Sequence, residues 1–141
     1  MNILVLNGPN INMLGKREPE IYGQETYDDL VVKITDFCRD LKVDCEVFQT
    51  NHEGLLVDRI QDADETFDGI IINPAALTHY SYAIFDAIKS ISIPVIEVHI
   101  SNIHAREEFR RHSVTAGASS GVIAGLGTDG YLLAVRALLM K

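Results

Sequence analysis

The sequence predicts an α/β fold built on an open, five-stranded parallel β-sheet with helices on both faces. Three observations carry this expectation. Short, nearly continuous apolar runs recur along the chain, and each is followed by a segment whose apolar residues repeat at helical spacing. No linker, low-complexity tract or internal repeat interrupts the alternation. Parallel neighbours need a crossover, usually a helix, and a sheet covered on both faces reads as solid apolar strands.

The elements follow in order. Ile3 to Leu6 is a strand, closed by Asn7-Gly8-Pro9-Asn10, which cannot continue a ladder. From Thr26 the period changes: Leu30, Ile34, Phe37, Cys38 and Leu41 share one helical face, with Thr26 as N-cap and Asp28 and Asp29 in the first turn. Val43, Cys45 and Val47 alternate as in a half-buried strand. Leu55, Leu56, Ile60 and Ala63 mark a second helix, and Gly69 to Asn73 a buried strand. Ala83, Ile84, Ala87, Ile88 and Ile91 mark a third helix, and Pro94 to His99 the next strand. A short helix from Arg106 to Arg111, a strand from Gly121 to Leu126 and a helix from Tyr131 to Met140 complete the pattern, which is that of a flavodoxin-like doubly wound sandwich. In such sheets ligands bind outside the carboxyl ends of the strands. That singles out the loops Asn7 to Gly23, Gln49 to Gly54, Asn73 to His79 and His99 to Arg106.

At 141 residues the chain suits a single domain, residues 1–141, and its 47% hydrophobic and 23% charged residues are those of an ordinary globular protein. A core of that size needs no metal or disulfide, and Cys38 and Cys45 read as reduced packing residues. With 12 basic against 20 acidic residues the net charge is -8, which argues against nucleic acid or an anionic membrane as partner. An anionic small substrate stays open, because a local arginine cluster overrides the global charge. There is no membrane-spanning apolar run, and the first six residues lack the basic start and cleavage site of a signal peptide, so a cytoplasmic location is expected.

Two motifs fail on inspection. Gly125, Gly127 and Gly130 spell the dinucleotide-binding glycine pattern, yet no acidic residue follows to hold a ribose, and a tight strand-to-helix turn is the better reading. Gly8 with Gly15-Lys16 is too widely spaced for a phosphate loop, and Arg17 stands where the magnesium-binding Ser or Thr belongs.

Chemistry concentrates elsewhere. Residues 8–25 form an unusually long connection, typical of a lid or binding loop, and carry Asn10, Asn12, Arg17, Glu18, Glu20 and Tyr22 between the hinge candidates Gly15 and Gly23. Glu97 and His99, two apart on a strand, point to one face. On the residues alone the pair reads equally as a satisfied buried histidine or as a general acid with its orienting carboxylate. Asn73, His79, Asp86, Arg106, Arg110 and Arg111 are further candidates; on a helix, Arg106 and Arg110 present two guanidinium groups on one face, with Glu107 and Glu108 left as solvated charges. The histidines at 79, 99, 104 and 112 fit no metal-ligand spacing, so no metal is expected.

Together these stretches resemble one family over essentially the whole chain. Asn7-Gly8-Pro9-Asn10, Gly15 to Arg17, Pro19-Glu20, Tyr22-Gly23, Asn73-Pro74 with Thr78-His79, Glu97 to Asn102, Arg106 to Arg110 and Gly125-Leu126-Gly127 stand in the order seen in the type II 3-dehydroquinate dehydratases, or type II dehydroquinases, of the shikimate pathway to aromatic amino acids. The resemblance implies a single catalytic domain with a lid near residues 10–24. It also implies a cofactor-free anti-elimination of water from 3-dehydroquinate, through an enolate, to 3-dehydroshikimate. Tyr22 is then the base, as tyrosinate, with Arg17 as the charge that holds it ionised. Ionising near pH 7 a phenol that ordinarily titrates near 10 costs about 4 kcal/mol. Asn10 stabilises the enolate oxygen, and His99, oriented by Glu97, protonates the leaving hydroxyl. Asn73, His79, Ile100, Ser101, Arg106 and Arg110 match substrate-binding positions, and Asp86 a residue that reaches the site from a neighbouring subunit of a dodecamer, a tetramer of trimers. Ala75, Tyr80 and Phe85 depart from the family's usual glycine, threonine and arginine.

Rival readings are weaker. A flavin carrier needs a Ser/Thr-rich loop after the first strand, a signalling receiver needs acidic residues where Asn7 and Asn73 stand, and a Schiff-base dehydratase finds only Lys16 among the site loops.

Overall fold

The computed structural model describes residues 1–16 and 18–141, with the side chain of Tyr22 outside the described part. Five strands, β1 (Asn2–Asn7), β2 (Asp44–Gln49), β3 (Gly69–Asn73), β4 (Val95–His99) and β5 (Gly121–Ala124), form one sheet in the order β2-β1-β3-β4-β5, every neighbouring pair parallel. The helices are α1 (Pro19–Tyr22), α2 (Tyr27–Asp40), α3 (Glu53–Ala63), α4 (Tyr82–Lys89) and α5 (Asp129–Leu139). No helix among the described residues is long and apolar enough to cross a membrane.

Strand alternation sorts the apolar side chains into two cores. Ile3, Val5, Ile71, Ile96 and Val98 pack under α2 and α5, against Leu30, Ile34, Cys38, Tyr131, Val135 and Leu138. Leu4, Leu6, Ile70, Ile72 and Val95 face α3 and α4, against Leu56, Ile60, Ile84 and Ile88. The expected sandwich is therefore present, and α2 starts where its signals place it. Thr26 Oγ1 accepts the Asp29 N–H and Asp29 Oδ2 accepts the Thr26 N–H, both at 3.1 Å, a reciprocal cap worth about 1 kcal/mol.

The strand order reverses between β2 and β3 around β1, so the crevice of the fold opens where β1 and β3 end side by side at Asn7 and Asn73. A buried tyrosine ties the two ends together. Tyr131, on α5, donates its hydroxyl to Asn7 Oδ1 at 2.7 Å and accepts from Asn73 Nδ2 at 2.9 Å. Gly8 then passes against the loop after β3, its N–H bonded to the Asn73 carbonyl at 2.8 Å; a Cβ here would sit 2.5 Å from the Pro74 carbonyl oxygen. Only glycine fits that approach.

The long 8–25 connection is less of a free loop than its composition suggests. A 3-10 turn, Ile11–Met13, plants Ile11 and Leu14 in the core under α2. Gly15, at φ 82°, lies against the chain where it returns, with a Cβ only 3.1 Å from the Gln24 and Glu25 carbonyls. The returning end is held by Glu25, which accepts from Thr128 Oγ1 at 2.7 Å, while Lys33 bonds Thr128 at 2.7 Å and pairs with Asp129 at 2.8 Å. Gly15 and residues 24–26 thus lie side by side.

Two expectations need correction. The helix placed at Arg106–Arg111 is instead a pair of 3-10 turns, Ile103–Ala105 and Glu108–Arg110, with Arg106 extended between them. The stretch has no apolar stripe, since Ile103 is buried but Phe109 is 66% exposed, and a helix this short does not persist without packing. The third helix stops at Lys89, and Ile91 reaches the core from the loop beyond.

Replacing Tyr131 by Phe keeps the ring but strands the Asn7 carbonyl and the Asn73 amide. The expected loss is about 1–3 kcal/mol, read as a lower urea midpoint at unchanged m-value.

Candidate active site

A cavity of about 100 Å³ opens at the carboxyl ends of β1, β3 and β4. Eight of the residues singled out in the sequence line it: Asn10, Asn73, His79, His99, Ile100, Ser101, Arg106 and Arg110. Glu97 lies directly beneath, with no solvent exposure. Arg17 and the Tyr22 side chain, the expected charge and base, lie outside the described residues. Asp86 is exposed on α4 and is not among the residues lining the cavity.

Each lining group is placed by local structure. Asn10 sits in the left-handed region at φ 71°, its N–H bonded to Asn51 Oδ1 at 3.0 Å, and Gln49 Nε2 ties Asn51, Asn12 and the Gly8 carbonyl into one amide cluster. Asn73 is clamped between Tyr131 and the Ala75 N–H, which its Oδ1 accepts at 3.1 Å, so the side chain that ends β3 also shapes the following 3-10 turn, Ala75–His79. His79, at the end of that turn, donates Nδ1–H to the His112 carbonyl at 2.8 Å. That bond fixes the tautomer and leaves Nε2 as an acceptor. Burial holds the His79 pKa below the ordinary histidine range against the pull of that carbonyl, and the positive charges of Arg110, His99 and Arg106 add to the lowering, so the ring is neutral near pH 7.

Glu97 and His99 meet as their two-residue spacing requires, His99 Nε2 lying 2.7 Å from Glu97 Oε2. Burial works to raise the Glu97 pKa. The His99 bond and charge, with hydroxyls from Thr115 and Ser113, outweigh it and hold the carboxyl below its usual range. Ser113 donates to Oε2 at 2.9 Å, Thr78 to the same oxygen at 3.2 Å, and Thr115 to Oε1. These three hydroxyls were not among the expected site residues. A hydroxyl residue carries no periodic signal, and the one available hint was that a glutamate inside an apolar strand needs donors from somewhere.

Positive charge is concentrated here despite the acidic chain. The Arg106 side chain, 11% exposed, donates Nη1–H to Ser101 Oγ at 3.3 Å and approaches Glu18 at 3.9 Å, reaching from the cavity wall to the start of α1. Glu107 is not the merely solvated charge expected: it accepts Arg110 Nε–H at 2.7 Å, which orients that guanidinium group, and lies at ion-pair distance, 3.9 Å, from Arg106 Nε. Arg106 and Arg110 converge through the two turns and Glu107, not through a helix face. Among the described residues no three His, Cys, Asp or Glu side chains gather where they could hold a metal ion. The apolar walls, Ile11, Ala75, Ala76 and Ile103, were also missed, because single apolar residues in loops have no pattern to betray them.

The folded carboxyl of Glu97 lies below its unfolded value of about 4.3. Its contribution to stability is therefore fully present above that value and is lost as pH falls through the lower folded one. Urea unfolding across this acid range gives a falling stability in the parent, and Glu97→Gln removes that part of the slope.

The chain matches the family description "Dehydroquinase class II" over residues 1–139. It is 58% identical to a 3-dehydroquinate dehydratase of Thermotoga neapolitana, covering 96% of this chain and 92% of that protein, and 54% identical to one from Bacillus subtilis, covering 99% and 95%. Among solved structures it is similar to the type II dehydroquinase of Butyrivibrio crossotus, at 52% identity and a TM-score of 0.98 over 99% of this chain and 97% of that one. A 3-dehydroquinate dehydratase-like protein of Bifidobacterium longum follows the same fold at 33% identity and a TM-score of 0.74, covering 100% of this chain and 99% of that one. The chain belongs to the class II dehydroquinase family of hydro-lyases.

Proposed function

We propose that the cavity dehydrates 3-dehydroquinate with side chains alone as acid and base, as a step of the shikimate route to aromatic amino acids. The observation that carries this reading is the buried Glu97–His99 pair opening onto a cavity walled by Arg106 and Arg110. The arginines and Ser101 receive the substrate's carboxylate and hydroxyls, together with Asn73, the neutral His79 and the backbone at Ile100. His79 Nε2, its other nitrogen occupied, accepts from a substrate hydroxyl.

In the reaction Tyr22, ionised beside Arg17, takes the C2 proton, and the electron pair passes into an enolate whose oxygen Asn10 steadies. The C1–O bond then breaks as His99 delivers a proton to the departing hydroxyl, which leaves as water. The position of α1 supports a lid that carries the base. Ile21 and Gly23 share a surface recess with Ile100, Ser101 and Arg106, which also wall the cavity, and Glu18 reaches Arg106 from the same segment. Two neighbouring free thiols, Cys38 and Cys45, fit work in the reducing cytoplasm. Asp86 is exposed on α4, which supports a part for it in a neighbour's cavity within a dodecamer of four trimers.

The test follows the ultraviolet absorbance of the conjugated product after 3-dehydroquinate is added. Absorbance rises promptly with the parent and is slowed roughly 100-fold or more in folded Tyr22→Phe and His99→Gln. Activity surviving in Tyr22→Phe removes the tyrosinate step, and a folded, assembled parent that does nothing removes the whole reading. Light scattering should give twelve times the 15.6 kDa chain mass; a fully active monomer would exclude any part for Asp86 across a subunit boundary.

A further inference from the structure

The pair at the floor of the cavity poses a question that its geometry alone leaves open: which partner holds the shared proton. Glu97 has no exposure and His99 is 5% exposed. In a dry site an ion pair competes with the neutral alternative, a carboxylic acid bonded to an uncharged imidazole, and desolvation favours the neutral one. A neutral ring is a much weaker acid, so the proposed reaction needs the ion pair.

We propose that the hydroxyls of Thr78, Ser113 and Thr115 act as positioning groups that keep this proton on the His99 ring and off Glu97, so that the acid is loaded before substrate arrives. This rests on the role given to His99 above.

The argument is one of donors and acceptors. An ionised carboxylate only accepts, and hydrogen bonds to it are roughly twice as strong as those to a neutral group. Ser113 and Thr78 donate to Glu97 Oε2 and Thr115 to Oε1, while His99 Nε2 meets Oε2. Moving the proton across the 2.7 Å contact would place a hydrogen on Oε2, the oxygen that already receives two hydroxyls, and would weaken all three hydroxyl bonds together. The cage is itself rigid. Thr78 Oγ1 lies 2.7 Å from both Ser113 Oγ and Thr115 Oγ1, and Ser113 Oγ accepts the Ala116 N–H at 3.0 Å, so the three oxygens are packed against one another and the backbone holds Ser113 in place. Their anchors are independent of β4: Thr78 lies in the turn after β3, and Ser113 and Thr115 lead into the 3-10 turn Thr115–Ala118 packed beside α4.

The test is an infrared spectrum of the assembled enzyme near pH 7, where solvent-exposed carboxyls are ionised and a protonated carboxyl shows a separate C=O band. The parent should show no such band. Thr115→Val and Ser113→Ala should each produce one, abolished by adding Glu97→Gln, and should lower kcat roughly 10-fold. Thr115→Ser, which restores the donor, should remove the band and recover the rate. If Thr115→Val does not fold, Ser113→Ala alone decides. A band already present in the parent, or its absence from every folded cage variant, overturns the proposal. His99→Gln separates the two readings: if it is inactive while the cage variants show no band, only the cage proposal falls. If it keeps full activity, the general-acid role falls, and the band still reports where the proton resides.

Discussion

A carboxylate without solvent exposure must be surrounded by donors before the sheet around it can close, and Glu97 imposes that condition on this fold. It sits on β4, where Val95 on the same face packs into the core with α3 and α4, and its ordinary neighbour would have been another aliphatic side chain. Instead the helix layer gives way there to two connections, the turn at Thr78 and the segment from Ser113 to Thr115, which bring hydroxyls where a helix would have brought methyl groups. The cost of burying the charge is met by segments that have no other stripe to bury. The same substitution of hydroxyls for apolar packing sets His99 at the cavity floor, because β4 ends two residues after the carboxylate that holds it.

A second constraint joins this floor to the opposite wall. Asn7 and Asn73 end adjacent parallel strands, and both side chains serve in positioning: Asn7 Oδ1 accepts from Tyr131, and Asn73 bonds Tyr131 and the Ala75 N–H. Gly8 crosses so near the Pro74 carbonyl that any side chain there would drive apart the loops after β1 and β3. The cavity is therefore framed by closely approaching backbone and buried side-chain amides. Arg106, by contrast, reaches toward Glu18 at the start of α1.

How much of this was legible depends on whether a side chain repeats. β1, β3 and β4 are buried on both faces and α2 carries an unbroken stripe with a reciprocal cap, so their periods report the fold directly. Glu97 and His99 were paired from the two-residue period of a strand. The stretch from 102 to 120 has neither period. Its 3-10 turns are held by single bonds such as Asn102 Oδ1 to the His104 N–H and Arg111 Nε–H to the Arg106 carbonyl, which spacing rules do not anticipate. The expected helix would have brought Arg106 and Arg110 to one face, whereas two 3-10 turns bring both to the wall of one cavity. Ser113, Thr115 and the Gln49–Asn51 amide cluster were illegible for the same reason: their partners are distant in sequence, and no local pattern announces a contact that only the tertiary fold creates.

The charge balance shows the same division between global and local. Beyond a screening length of roughly 8 Å in physiological salt, the net charge of -8 is largely hidden from an approaching anionic substrate. Inside that length the field belongs to the nearest groups, and in the cavity those are Arg106 and Arg110. Glu107 sharpens the effect. As an exposed acid its ion pairs contribute little stability, but by bonding Arg110 it orients that guanidinium group while lying at ion-pair distance from Arg106. An acidic residue thus helps to make a cation-lined site, because what an anion meets on arrival is the direction of the guanidinium groups and not the sum of the charges behind them.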